Sequence, residues 1–337
     1  MVKEKIKSKD ISVIVQGAII PKYTKKCLES IRKYLPEAQI ILSSWAGTDV
    51  SALKNLYDKL LLNIDPGAEL YCTNPEPRFN NVNRQLVSTQ NALSYVKTKY
   101  TLKLRTDFYL TGNKFLKYFE CFPKRDEKYS IFNHRVMISQ TYTRNQFGCT
   151  PTPFHVSDFY FFGLSEDIKV YFENTPLVAQ QDIGQCSLLY PEKNPDKNTS
   201  WNYPPEQYYC IQWVKRYFSN IKFEDWSDWN DENINFSQKI IFNNFIILGK
   251  YQEDIFSQKH KMGLLTSESI EGIITYNIFY KEYKKLDSKV KLPQNLISRE
   301  KLRKHLEKVI TPLIPLKNWL SELISLIYYT VRYVLGK

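Results

Sequence analysis

The sequence predicts an α/β fold, and three observations carry that expectation. A short β-branched run, Ile11-Ser-Val-Ile-Val15, opens the ordered part of the chain. Apolar segments of strand length recur after it at short intervals, and stretches with helical spacing fill the gaps between them. Strand, helix, strand alternation of this kind produces a parallel sheet covered by helices.

Each element has its own justification. The run Ile11–Val15 has no polar face, as a strand buried on both sides requires, and Gln16-Gly17-Ala18 gives the chain a place to turn. Thr24 is expected to cap a helix on which Cys27, Leu28, Ile31 and Leu35 recur until Pro36 ends it. Gln39–Leu42 is a second strand, ending in Ser43-Ser44-Trp45-Ala46-Gly47. A helix is expected over 51–60 and a third strand over 61–64, closed by Asp65-Pro66-Gly67. The next helix has a polar entrance, Asn80-Asn-Val-Asn-Arg-Gln85, and becomes amphipathic through Leu86, Thr89, Leu93 and Val96. The strand Tyr100–Leu104 follows and ends in Arg105-Thr106-Asp107. Farther on, short strands are expected over 130–132 and 159–162, a helix from Pro205 through Tyr217, and a strand over 242–248.

Composition narrows the function. The 337 residues include 47 Lys and Arg against 35 Asp and Glu, a formal charge of +12, and 43% are hydrophobic, so the chain can bury a core and is not disordered. Only 11 glycines are present, which argues against a Gly-rich phosphate loop. No apolar run reaches the roughly 18–20 residues of a spanning helix, and the start, MVKEKIKSKD, has no apolar h-region, so a cytoplasmic location is expected. The six cysteines form no CxxC pair and suit small buried hydrophobes in a reducing compartment. The four histidines form no HxH or HxxxH pair, which speaks against a His-rich zinc site. No RNP, zinc-finger or helix-turn-helix pattern accompanies the positive charge, so nucleic acid is not an expected partner.

The charge gathers instead at the C-terminus. Residues 299–337 carry eight Lys or Arg against three Glu, and Leu316, Trp319, Leu320, Leu323, Ile324, Ile327, Tyr328 and Val331 make one apolar helical stripe. Such a segment suits the surface of an anionic membrane. The expected organisation is an α/β domain over 1–268, a connecting helical segment over 269–298 and this basic amphipathic segment over 299–337.

Candidate chemistry lies at the C-terminal ends of the strands, the rim where open α/β sheets bind ligands. There Gln16, Gly17 and Ser44 offer a nucleotide pocket, joined by Arg84 from the following helix entrance. Arg105 suits phosphate because its fork grips two oxygens at once. Asp107, directly after a buried strand, is a candidate ligand for Mg²⁺ or Mn²⁺ against a diphosphate. A DxD pair would have two carboxylates here, and Arg105 stands where the first would be. Either a metal is held by Asp107, phosphate and water, or Arg105 takes over part of its neutralising role. Asp158 and Glu206 are candidate general bases. His155 is a candidate metal ligand or phosphate donor, and Lys259-His260-Lys261 a basic loop able to face a diphosphate; each has an ordinary structural reading as well.

Several ordered stretches stand out together: Ile11-Ser-Val-Ile-Val-Gln-Gly17, Asn80-Asn-Val-Asn-Arg-Gln85 with Ser88-Thr-Gln-Asn-Ala92, Leu102-Lys-Leu-Arg-Thr-Asp107, Phe154-His-Val-Ser-Asp-Phe-Tyr-Phe-Phe-Gly163, Pro205-Glu-Gln-Tyr208 and Asn243-Asn-Phe-Ile-Ile-Leu248. In this order they resemble the WavE family of bacterial lipopolysaccharide-synthesis proteins. The similarity spans about residues 10 to 265. It implies a GT-A-like, Rossmann-type mixed sheet and a hexosyltransferase-type glycosyltransferase. That enzyme would move a sugar from a nucleotide-sugar donor to a lipopolysaccharide, lipooligosaccharide or capsule-type acceptor. The expected location is the inner face of the bacterial inner membrane. Against this stand a nucleotidyltransferase, which would normally show a Gly-rich first loop with a basic residue, and a non-catalytic scaffold of the same fold.

Overall fold

A computed structural model of the chain describes residues 6–72, 78–147, 150–178, 204–223, 228–259 and 272–290. The chain divides into two compact units after Asp287, and the description below concerns the first. The basic segment 299–337, residues 269–271 and 291–298 of the connector, and His260 and Lys261 lie outside the described residues. No helix among the described residues is long and apolar enough to cross a membrane.

The fold is α/β. Strands β1 (Ile11–Gln16), β2 (Gln39–Trp45) and β3 (Lys59–Asn63) are followed by a two-stranded ribbon, β4 (Glu69–Cys72) and β5 (Arg78–Asn80). Then come β6 (Tyr100–Arg105), β7 (Phe108–Leu110), β8 (Val136–Ser139), β9 (Arg144–Phe147), β10 (Thr150–His155), β11 (Tyr160–Leu164), β12 (Phe245–Leu248) and β13 (Ile255–Ser257). The helices are α1 (Pro21–Tyr34), α2 (Val82–Leu93), α3 (Ser165–Phe172), α4 (Pro205–Lys215), α5 (Asp231–Asn244), α6 (Lys250–Glu253) and α7 (Tyr276–Leu286).

The main sheet has the order β12-β8-β11-β6-β1-β2-β3. Its pairs are parallel except where β11 runs against both β6 and β8. The chain steps from β1 to β2 and β3 on one side, then crosses back to set β6 on the other side of β1. The order therefore reverses between β1 and β6, and in open α/β sheets the carboxyl ends of the strands at such a reversal are where ligands bind. Ile11, Val13, Ile14, Val15, Leu102 and Leu104 are fully buried in these two central strands, each contributing about 1.5–3 kcal/mol by removal from water.

A second core is aromatic. Phe132 stacks on Trp213 at 4.4 Å, and Tyr171 and Phe245 close around them. On α7, Phe279 and Tyr283 pack edge-on against Phe122 at 5.0 and 4.9 Å, so this helix, within the expected connector, belongs to the first unit.

Four local expectations change. Helix α1 begins at Pro21, one turn before Thr24, because Pro21 presets the first helical φ; Thr24 sits inside the helix and accepts a hydrogen bond from the Ile20 N–H. The helix expected over 51–60 is only a single tight turn, Ser51–Leu53, since Asn55 takes a left-handed φ of 69° that no α-helix accommodates. The strand expected over 130–132 is absent, and the pairing falls on Val136–Ser139 instead. The run from Phe242 begins as the last turn of α5 and becomes strand only at Phe245. Of the cysteines, Cys27 and Cys210 are buried as expected, whereas Cys121 is exposed.

Candidate functional site

Gly17 makes the turn at the end of β1. Its φ of +116° lies in the region that side chains avoid. Its N–H donates to the Ser43 carbonyl at 3.1 Å, and the Thr106 N–H donates to the Gln16 carbonyl at 3.1 Å, so the ends of β2, β1 and β6 are tied together at one level. The Gln16 side chain is buried and accepts from Ser88 Oγ at 2.8 Å, a hydroxyl presented by α2. Asn63 Nδ2 donates to Ser43 Oγ (2.9 Å) and to the Ser44 carbonyl (2.8 Å), while Ser44 Oγ is buried with no hydrogen-bond partner. Gln16, Gly17 and Ser44 thus lie side by side on the rim.

Arg84 is set differently. Its Nε and Nη2 donate to the two carboxylate oxygens of Asp65, both at 2.7 Å, and this pair holds the Asp65 carboxyl below its usual range. The guanidinium is thus held by Asp65, with Nη1 also donating to Asn81 Oδ1 at 3.0 Å, and the Arg84 carbonyl lies 2.7 Å from Ser88 Oγ, sharing that hydroxyl's one proton with Gln16 Oε1.

Arg105 and Asp107 face each other across the β6 end. Arg105 Nε donates to Asp107 Oδ1 at 3.0 Å and Nη2 to Oδ2 at 2.9 Å, a two-point grip. The guanidinium lies over the rings of Phe108 and Phe159. Asp107 is 3% exposed; burial works to raise its pKa, but Arg105 beside it and Lys259 prevail and lower it. Burial also opposes the charge on Arg105, and the carboxylates of Asp158 and Asp107 overcome it, raising the guanidinium's pKa. Lys259 Nζ stands 3.5 Å from Asp107 Oδ2. The β7–β13 ribbon delivers it: Ser257 pairs with Phe108, and the Gln258 N–H donates to the Asp107 carbonyl at 2.9 Å.

Asp158 comes from the loop entering β11, and because β11 is antiparallel this entrance lies on the same rim. Gln85 Nε2 donates to Asp158 Oδ2 at 2.5 Å. Behind both is Lys103, fully buried in the middle of β6. Its Nζ donates to the Asp158 carbonyl at 2.7 Å and to Gln85 Oε1 at 3.4 Å, between the rings of Phe161 and Phe172. An ammonium only donates and a carboxylate only accepts, so the Gln85 amide has one orientation that serves both. Burial lowers the Lys103 pKa to about 8.

Glu206, in the first turn of α4, is close enough to Asp158 for the two carboxyls to repel. Part of its surface is open, yet the carboxyl lies deep among protein atoms. That burial, and then Asp158, raise its pKa well above the carboxyl range. His155 Nδ1 pairs with the Tyr142 carbonyl at 2.8 Å. Burial, and then Arg144 nearby, hold its pKa down to about 4, so the ring is neutral at neutral pH. Among the described residues no three His, Cys, Asp or Glu gather as a metal-binding group.

The structure therefore brings Arg105, Asp107, Asp158 and Glu206 into one electrostatic cluster beside Gln16 and Gly17, with Arg84 tied to Asp65. Lys103 and Gln85 were not anticipated in it. Their sequence signal was present: a lysine inside an otherwise apolar central strand, and a glutamine in the polar entrance of α2. Glu253 was also missed. It is 1% exposed on the same rim, accepts from Tyr160 Oη at 2.9 Å, and has its pKa raised by burial to about 8.

Two solved structures are similar in part. One is the crystal structure of S. aureus TarS, at 13% identity and a TM-score of 0.34, covering 62% of this chain and 33% of that one. The other is S. aureus TarS 1–349, at 13% identity and 0.32, covering 54% and 52%. The chain thus spans a third and about half of their lengths. No protein of curated function matches it. The family model described as WavE lipopolysaccharide synthesis matches residues 11–305, most of the 337 residues, and the chain belongs to the WavE lipopolysaccharide-synthesis family.

Proposed function

We propose that the protein is a GT-A-like glycosyltransferase of hexosyltransferase type. It moves a sugar from a nucleotide-sugar donor to a lipopolysaccharide, lipooligosaccharide or capsule-type acceptor. The observation that carries this reading is the set of side chains gathered at the strand ends where the order reverses between β1 and β6. One side offers a positive-φ glycine and buried amide and hydroxyl groups, the middle offers Arg105, and the far side offers two carboxyls. Gln16, Gly17 and Ser44 receive the nucleoside, with Arg84 and Asp65 fixing the entrance of α2 beside them. Arg105 faces the diphosphate.

The carboxyls then divide the work. Glu206 keeps its proton to higher pH than an ordinary carboxyl, so it serves as a hydrogen-bond donor. Asp158, aimed by Gln85, takes the acceptor hydroxyl's proton. The acceptor oxygen bonds to the sugar's anomeric carbon as the bond from that carbon to the diphosphate oxygen breaks. The nucleoside diphosphate leaves, its new charge stabilised by preorganised cations. This displacement inverts the anomeric centre.

The acceptor is proposed to be lipid-linked, with residues 299–337 holding the enzyme at the inner-membrane surface; the apolar stripe and basic residues of the sequence support this. The deciding experiment incubates the full-length chain with nucleotide-sugar donors and a lipid-linked glycan and follows release of nucleoside diphosphate. Release together with a lengthened glycan supports the reading. Pyrophosphate as the product points to a nucleotidyltransferase, and no turnover with any donor sinks the enzymatic proposal.

A further inference from the structure

We infer that the donor's diphosphate is neutralised by Arg105 and Lys259 of the chain itself, and that donor binding needs no divalent metal. This rests on the glycosyltransferase reading of the same site and goes beyond it by naming what takes up the phosphate charge.

The residues around Asp107 do not suit a divalent cation. A metal held against a diphosphate needs carboxylate oxygens turned outward and a locally negative site. Both oxygens of Asp107 are already engaged, Oδ1 by Arg105 Nε at 3.0 Å and Oδ2 by Arg105 Nη2 at 2.9 Å, with Lys259 Nζ 3.5 Å from Oδ2. A cation bound there would have to displace a two-point guanidinium grip and then sit beside it. Asp158, the next carboxylate, is taken at Oδ2 by Gln85 and faces the same guanidinium.

The charges point the same way. Arg105, Lys259 and Lys103 stand against Asp107 and Asp158, three positive groups to two negative, while Glu206 is pushed toward its neutral form. A pair of carboxylates would attract a divalent ion; this cluster has an excess of positive charge before any ligand enters and attracts an anion.

The donors for that anion are in place. A guanidinium has five N–H groups, and Asp107 uses two of Arg105's, leaving three for phosphate oxygens. Asp107 acts as the brace that fixes the plane of the fork, and the rings of Phe108 and Phe159 support it from below. Lys259 is the more exposed of the two cations, its side chain 44% open. Its backbone is anchored one residue earlier by the Gln258-to-Asp107 hydrogen bond. An ammonium on a flexible stem can move from Asp107 toward an arriving phosphate without breaking the ribbon that carries it.

The test is calorimetry of the full-length chain with UDP, GDP, CDP and ADP, in EDTA and again in Mn²⁺. At least one nucleotide is expected to bind in EDTA with an affinity within about threefold of that in Mn²⁺, far less than a metal bridge would confer. Arg105→Met is expected to weaken that metal-free binding at least about tenfold, and Lys259→Ala to weaken it several-fold and flatten its salt dependence. Lys259 lies at the surface, so its variant keeps the test alive should Arg105→Met fold poorly. Binding that appears only with Mn²⁺, or metal-free binding that neither variant alters, overturns the inference and leaves the glycosyltransferase reading standing. No binding of any nucleotide under either condition sinks both.

Discussion

Replacing Lys103 with methionine is expected to leave stability near neutral pH almost unchanged and to abolish a rise in stability at alkaline pH. Burial lowers the Lys103 pKa from 10.5 to about 8. The unfolded chain therefore holds this proton more tightly than the folded one, and folding gains stability as pH rises through that window. The full difference corresponds to about 3 kcal/mol, of which about 2 kcal/mol accrues between about pH 7 and about pH 9.5. Near pH 7 methionine removes that burial cost. It also removes the charged hydrogen bond to the Asp158 carbonyl at 2.7 Å, a loss of about 1.5–3 kcal/mol, so the two nearly cancel. Urea unfolding of both proteins at the two pH values gives the answer as a difference of differences, in which the other titrating groups cancel. Parallel pH profiles would refute the reasoning, because they would mean that Lys103 does not carry its proton against the cost of burial.

Other expectations follow from the same rim. Asp158→Asn is expected to abolish transfer while nucleotide binding persists, and to move the Glu206 pKa down toward the carboxyl range by removing a repelling neighbour; carbon-13 NMR titration of the Glu206 carboxyl reads the shift, and an unmoved value would separate the two groups. Glu253→Gln is expected to stabilise the fold by roughly 3 kcal/mol near pH 7 and by nothing below about pH 4, since a carboxyl raised to about 8 contributes stability that drains away as pH rises through that window; denaturant melts at both pH values check it. Gly17→Ala is expected to cost about 1–2 kcal/mol from backbone strain alone, because a Cβ there would meet only Thr106 Oγ1 at an ordinary 3.5 Å; a melting temperature equal to wild type would remove the strain.

The parallel half of the fold was legible because its strands are apolar on both faces and each is closed by turn residues. Gln16, Ser44 and Arg105 could be placed at strand ends from position alone. What could not be read depended on contacts across the sequence. The antiparallel insertion of β11 places Asp158 on the rim from the entrance of a strand, whereas parallel strands contribute from their exits. The left-handed Asn55 breaks a segment whose composition suits a helix. That Asp65, nineteen positions earlier, grips the Arg84 fork is a contact neither residue's neighbours in sequence announce. The Lys103–Gln85–Asp158 triangle joins β6, α2 and the β11 entrance, and no local pattern announces such a meeting.

Lys103 also bears on how the chain assembles. The strands β3, β2, β1 and β6 are complete by Arg105, so this half of the sheet is available to a growing polypeptide before β11 has been synthesised. Until β11 arrives, β6 is a bare edge with unpaired amides, the kind of surface on which neighbouring chains stack. A lysine at its centre makes that edge a poor template for another copy, since docking there would bury an ammonium with only the long 3.4 Å contact to Gln85 Oε1 to receive it. When β11 pairs, the Asp158 carbonyl receives that ammonium. The native strand thus supplies the lysine with its short hydrogen bond, which a second copy docked on the same edge is not expected to do.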